Sequence, residues 1–311
     1  MRRITIIALA GRAGDELGVC WRAMANPEPL GAGSVMWDVA GELRAFLVIP
    51  STLLLQVMHP VVGAAVSAHS AFRTDQWGRA SRTSDSMLRY IYGGELALAE
   101  ARRLRELHKP FHGVDEHGRR YHALNGAAYA WVNATLAERY LTSCALFGPE
   151  LSARQQERLY ADAVQLGHVL GVPGREMPPT LNEFREYFAT MISGCLERSA
   201  AALAVLSDLR DPPPPPAVPP ALWRRPGRIL GRAAGFVTAG TLPPEVRDVL
   251  KLRWTPADQR RFERFAAGVR TCAPWLPERL RYVPAVRKIR TRAARAGKPR
   301  TARAADESGA E

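Results

Sequence analysis

The side chains best able to do chemistry are the seven histidines: His59, His69, His108, His112, His117, His122 and His168. Four of them fall between positions 108 and 122. Clustered histidines can bind zinc, but the chain has no HExxH and no cysteine at ligand spacing beside them. His117 and His122 lie in the polar run Asp115-Glu-His-Gly-Arg-Arg-Tyr-His122, which reads as an exposed loop. His108 differs, because it ends an arginine-rich helical stretch. Leu104, Leu107 and His108 share one helical face by the i, i+3, i+4 rule. Such a histidine can be a hydrogen-bonded core residue. An imidazole projecting from a helix into an apolar pocket can also serve as an axial ligand to haem iron. Spacing alone leaves both readings open.

A second constellation surrounds Arg79 and Thr83, four residues apart. On a helix they would present a guanidinium and a hydroxyl on one face. A guanidinium can hold a haem propionate or polarise a bound oxygen species, and a hydroxyl can add a hydrogen bond. The competing reading is a surface turn with an ordinary charge pair between Asp75 and Arg79. His59, between Met58 and Pro60, suits a core hydrogen bond, and His69 could act as a polar group opposite the iron ligand.

The elements that must position these groups are helices. Residues 51 to 70 read as a buried helix with a kink at Pro60. Residues 84 to 107 read as helix with a break at Gly93-Gly94, and residues 125 to 147 as an Ala- and Leu-rich helix ending at Gly148-Pro149. Ser152 and Gln155 form a capping box for a helix reaching Gly171, and Thr180 and Glu183 open one reaching about Leu209. Residues 212–220 contain seven prolines and predict a stiff polyproline-type linker. Shorter helices follow, one over residues 244–250 and one from Thr255-Pro256 to about Arg270. Strand alternation is nearly absent, so the fold class is all-α.

The 311 residues suffice for one large core, and 47% hydrophobic with 23% charged residues is a globular balance. The net charge of +13 invites a nucleic-acid or anionic-membrane partner. Its location argues otherwise. Residues 285–311 hold eight basic and three acidic residues, so this segment supplies +5. With almost no large apolar residue after Ile289, it reads as a disordered or frayed basic tail with at most weak contact to anionic membranes. No RRM, zinc-finger or aromatic-interleaved basic motif points to specific nucleic-acid binding. Cys20, Cys144, Cys195 and Cys272 form no CxxC and no CxxCH, which excludes covalently attached haem and fits a reducing cytoplasm. The first ten residues imitate a signal peptide, but their apolar stretch runs straight into Gly11-Arg12. The apolar run 45–66 has transmembrane length, yet Pro50, Gln56, His59 and Pro60 favour a buried core helix.

Taken in order, several motifs resemble one family. They are Leu54-Leu-Gln-Val-Met-His-Pro60, His69-Ser-x-Phe-Arg-x-Asp75-x-Trp-Gly-Arg79, Arg82-Thr83 and His108-x-x-Phe-His-Gly113. Tyr121-x-Ala123, Trp131-Val-Asn-Ala-Thr-Leu136, Tyr160, Gly171-Val-Pro173, Pro179-Thr-Leu-x-x-Phe-x-x-Tyr187, Leu242-Pro-Pro and Trp254-Thr follow. Over about residues 35–285 the chain resembles the MpaB and latex-clearing-protein (rubber oxygenase) family. The resemblance implies an all-helical domain with a globin-like core over residues 34–284, after an N-terminal extension over 1–33. It implies non-covalent haem b with His108 as the proximal iron ligand and Arg79 and Thr83 beside the haem. It also implies O2 or a peroxide as oxidant and attack on a carbon–carbon double bond of a hydrophobic, isoprenoid-like small molecule.

Two positions depart from the latex-clearing branch. Arg82 stands where that branch has a lysine able to serve as a distal ligand, and arginine stays protonated. Residues 61–72 contain no carboxylate where the branch uses a glutamate base. These departures argue against rubber cleavage and leave the substrate open. A haem-binding or sensor protein without turnover, and a basic membrane- or nucleic-acid-associated helical protein, are the competing readings.

Overall fold

The computed structural model describes residues 27–69 and 75–296. The chain is 73% helical, with fourteen helices among the described residues against one two-stranded sheet, so the fold class is all-α. The order is α1 (Val35–Val39), α2 (Ile49–Val57), α3 (Pro60–His69), α4 (Gln76–Tyr92), α5 (Glu95–His108), β1 (His112–Val114) and β2 (Arg120–His122). Next come α6 (Gly126–Phe147), α7 (Ala153–Leu170), α8 (Leu181–Gly194), α9 (Ala200–Arg210), α10 (Pro220–Thr241) and α11 (Pro244–Val249). The series ends with α12 (Pro256–Cys272), α13 (Glu278–Arg281) and α14 (Pro284–Ala296).

The centre is α6. Its many alanines let neighbours approach on several sides, and α1, α2, α7 and α12 all pack on it. Trp131 is fully buried and donates its indole N–H to Leu55 O at 2.9 Å, which ties α6 to α2. Asn133 donates to Ala163 O at 3.1 Å on α7. Gly167 makes that approach possible, since a Cβ there would fall 2.5 Å from Met177 Sδ. The expected capping box is present at Ser152 and Gln155, and Gly171 ends α7 in the left-handed conformation at φ 81°. Thr180 and Thr255 cap α8 and α12 as their sequence suggests.

Local physics reshapes the apolar run expected as one kinked helix. Pro60 has no N–H to continue the ladder, and the run breaks into two pieces bent by 99°. The carbonyls freed at the break find partners across the fold. Ser199 Oγ donates to Val57 O at 2.7 Å and Glu197 N to Met58 O at 2.9 Å. Gly63 allows the close return, because a Cβ would sit 2.5 Å from Val57 O. Only Gly63 of α3 is buried, so this piece is a half-covered wall and not the buried helix expected. No single helix among the described residues is long and apolar enough to cross a membrane.

Four further expectations are corrected. The helix foreseen from residue 180 to about 209 is interrupted between Gly194 and Ala200. The loop foreseen around His117 and His122 is exposed at His117, as expected, but it is the turn of an antiparallel hairpin whose strands set His112 opposite His122 and Gly113 opposite Tyr121. The prolines of 212–219 do remain non-helical, but Pro220 opens a 22-residue helix that was not foreseen, ahead of the two shorter helices expected, which are present. The basic segment from residue 285 is not a solvated tail over its first half. Helix α14 docks with Val286 fully buried, and Arg290 pairs with Asp38 at 2.7 Å. Residues 297–311 of that tail and the signal-peptide-like first ten residues lie outside the described residues.

Candidate active site

Helix α5 runs out at His108, and the end of that helix sets the state of the imidazole. Nδ1 lies 2.6 Å from Leu104 O, one turn back. A carbonyl can only accept, so Nδ1 carries the hydrogen and Nε2 keeps its lone pair. Burial lowers the His108 pKa below the usual imidazole value, outweighing the Leu104 bond, which raises it. The ring is therefore neutral at neutral pH, with one nitrogen oriented and the other free to ligate. A backbone carbonyl fixing the tautomer of a metal-binding histidine is a recurrent arrangement. Leu107, expected on the same inward face, is instead 48% exposed.

Aromatic rings surround this imidazole. Phe111 and Tyr129 stand edge-on to it with centroids at 5.7 and 6.1 Å. Phe111 also stacks on His69 at 5.0 Å, so one ring bridges the end of α3 and the end of α5. Tyr121 OH lies 3.0 Å from His69 Nε2. The hairpin builds that contact. A Cβ at Gly113 would come within 2.9 Å of the Tyr121 oxygen, so glycine at this register position makes room for the phenol. The roles of Phe111, Gly113, Tyr121 and Tyr129 were not foreseen. Three of them stand within the ordered motifs, where their spacing was visible but their contacts were not.

Arg79 and Thr83 both lie on α4, which packs along α5. Arg79 is half-buried, and burial with the nearby Arg82 charge lowers its pKa from the ordinary guanidinium value. It remains a cation across the physiological range. Thr83 is exposed. Asp75 caps α4 by accepting from Gly78 N at 3.0 Å and pairs with Arg82 at 2.9 Å, not with Arg79 as the surface-turn reading expected. The structure thus brings His69 and His108 to one aromatic cluster and leaves Thr83 on an exposed part of the neighbouring helix. Residues 70–74 of the motif lie outside the described residues. His59 is buried, its Nδ1 has no hydrogen-bond partner among the described residues, and burial pulls its pKa to about 4.

Two cavities of about 220 and 530 Å³ lie elsewhere, around Glu138 and Thr142 on α6. Helix α2 was expected to line an apolar cavity. The cavity it does line is mixed, with Ser51, Glu138 and Arg139 beside Val48, Leu55 and Leu242 in its walls, and none of the site residues named above borders it. Burial raises the Glu138 pKa above the usual carboxyl value, and Thr142 donates to it at 2.7 Å.

His108 has the chemistry of an axial group for a haem. Among the described residues no three His, Cys, Asp or Glu side chains converge as a metal cage. A porphyrin brings four nitrogens of its own and needs from the protein an axial group such as a neutral imidazole. His108 meets that need within an aromatic surround.

Residues 37–271 match the family described as ER-bound oxygenase mpaB/B′/rubber oxygenase, catalytic domain. The chain belongs to that family. It therefore carries an oxygenase-type catalytic domain over most of its described length, as the ordered motifs implied. An uncharacterised protein of Mycobacterium bovis and one of Mycobacterium tuberculosis are each 31% identical to it over 160 residues, 51% of this chain. The match spans 59% of the length of each relative. No solved structure matches the chain. In this structure the His108-x-x-Phe-His-Gly113 motif is one structural unit. It ends a helix on an oriented imidazole, sets an aromatic ring against it, and opens the hairpin for Tyr121.

Proposed function

We propose that the protein is a haem-b-dependent oxygenase-type oxidoreductase with His108 as the axial iron ligand. Its substrate is a hydrophobic, isoprenoid-like small molecule. The observation that carries this reading is the 2.6 Å contact of His108 Nδ1 with Leu104 O, which leaves a neutral Nε2 among aromatic rings. Haem b, when bound, would supply the redox chemistry by which O2 or a peroxide attacks a carbon–carbon double bond.

The chain's own residues have separable tasks. His108 holds the group from one side, and its bond to Leu104 keeps the ring from turning. Arg79 contributes a fixed positive charge for a propionate or a developing negative charge. Thr83 adds a hydroxyl one turn away, on the face now exposed. His69 and Tyr121, 3.0 Å apart, form a pair that can hold or pass a proton. Phe111 packs between the two imidazoles. A cytoplasmic location accords with the scattered cysteines, and the basic C-terminal segment adds at most a weak anionic-membrane contact.

The test is an absorption spectrum of the full chain reconstituted with haem b, beside that of His108→Ala. The expected result is a Soret band that is lost or strongly weakened in the variant. An unchanged band would remove His108 as the ligand. The absence of a carboxylate in residues 61–72 favours one second reading, a haem protein without turnover. That reading predicts the same band with no consumption of O2 or peroxide.

A further inference from the structure

Helix α10 has three distinct faces, and only one of them is used by the fold. At 100° per residue, Trp223, Gly227, Gly231 and Thr238 point inward. The packing is close, since a Cβ on Gly231 would lie 2.5 Å from Arg210 O and 2.8 Å from Leu209 O at the end of α9. Trp223 Nε1 donates to Pro212 O at 2.7 Å, which pins the helix to the proline segment before it. These contacts fix the rotation of α10 about its axis, and with it the direction of the other two faces.

The second face is an apolar ridge in solvent. Leu222 is 70% exposed, Ile229 67% and Leu230 52%, with Pro226 and Ala233 between them on the same side. The third face, adjacent to it, carries Arg224, Arg225, Arg228 and Arg232, all exposed. No acidic residue occurs from 212 to 244. Among the described residues none of these four arginines has a carboxylate within ion-pair distance, whereas Arg44, Arg103, Arg119, Arg281 and Arg290 all do. A row of arginines beside a ridge of large aliphatic side chains is the pattern of a helix lying in a membrane interface. Guanidinium groups meet anionic head groups, and the ridge enters the acyl boundary.

We infer that α10 docks the protein on the surface of an anionic lipid bilayer. A second copy of the chain is a poorer occupant. A two-fold contact through this face sets arginine against arginine, with no acid on the helix to relieve the repulsion. Nucleic acid would satisfy the arginines but would leave the ridge of Leu222, Ile229 and Leu230 against charged phosphates. The lipid surface alone matches both faces. The inference is independent of the haem reading, because neither face touches the His108 cluster and the test below reads binding only.

The experiment is co-sedimentation of the full chain with vesicles of pure phosphatidylcholine and of phosphatidylcholine with about one third phosphatidylglycerol. Binding is expected to be at least about a hundredfold tighter to the anionic vesicles, with one Lys or Arg at such a surface contributing about a factor of five. Arg224→Gln/Arg228→Gln/Arg232→Gln should weaken it about a hundredfold. Leu222→Ser/Ile229→Ser should weaken it about tenfold. These side chains are exposed, so far-ultraviolet circular dichroism should be unchanged. A chain truncated after Ala296 should keep its binding. Equal binding to the two vesicle types would overturn the inference. So would binding lost on truncation, or binding that falls with the arginine changes but ignores the Leu222 and Ile229 changes. A concentration-dependent dimer abolished by Leu222→Ser/Ile229→Ser, without vesicle binding, would overturn it in favour of self-association.

Discussion

Two polar clusters of this molecule treat their hydrogen-bonding capacity in opposite ways. Where residues 42–44 meet 281–282, Glu42 and Arg44 are both buried, and the polar groups of these two side chains are used. Arg44 bridges to Glu42 and donates through Nη1 to Phe147 O at 3.0 Å, which covers a carbonyl at the end of α6. Glu42 Oε1 accepts from Arg281 at 3.0 Å and from Tyr282 OH at 3.2 Å. At the end of α5, His108 uses one ring nitrogen and keeps the other. The first cluster is built to hold distant segments together, and the second to hold something brought from outside. A spare lone pair on an oriented imidazole in a half-buried aromatic site is what an axial ligand requires.

The largest effect that could break this comparison is Glu42→Ala. Removing the carboxylate strands Arg44, which is 8% exposed, and loosens Arg281. Losing one partner of a buried pair costs about 3–5 kcal/mol. Urea denaturation should show that loss, while His108→Ala costs about 1 kcal/mol or less in the haem-free chain. Equal losses for the two variants would mean that His108 is a structural residue like Glu42.

A smaller effect sharpens the comparison through pH. His59 is 6% exposed, and burial sets its pKa at about 4 in the folded chain against 6.5 as the ordinary value. Between these two values the unfolded chain binds a proton that the folded chain refuses. Stability is therefore full above about pH 6.5 and falls as pH drops toward 4, by about 3 kcal/mol in all. His59→Gln should flatten the stability profile over this window. A profile of His59→Gln as steep as the parent's would place the acid sensitivity on another group.

How much of this was legible in the sequence depended on how local each cause is. The caps at Ser152 and Thr255 and the break at Gly93-Gly94 are decided by residues within four positions, and the structure has them as read. The same range covers the His108 bond to Leu104, whose spacing was visible though its consequence was not. Helix α10 was missed because Pro226 and the glycines at 227, 231 and 235 argue against helix on propensity alone. Packing against α9 overrides them, and Gly231 turns out to be the point of closest contact. Helix α14 was read as a solvated tail for a related reason. Its anchors, Val286 against Gly41 and Arg290 against Asp38, have partners about 250 residues earlier in the chain. The pairing of His69 with Phe111, Tyr121 and, through Phe111, His108 is likewise long-range, and only the order of the motifs hinted at it.

The smallest effect tests whether the His69–Tyr121 pair belongs to the holding cluster or to the ligand cluster. Tyr121 is 8% exposed and His69 is exposed, so their 3.0 Å hydrogen bond is partly open to water. Tyr121→Phe keeps the ring that fills the space above Gly113 and removes only the hydroxyl. The expected loss is about 0.5–1 kcal/mol of stability. Haem affinity, read by the Soret band during titration, should stay within about a factor of two, because His108 and its bond to Leu104 are untouched. The ring stack of His69 on Phe111 at 5.0 Å should persist as well. A Soret band lost together with the hydroxyl would show that His69 is held for the iron site through Tyr121. The oriented imidazole of His108 would then be one of two histidines the fold keeps ready, and the boundary drawn between the two clusters would move to include the hairpin.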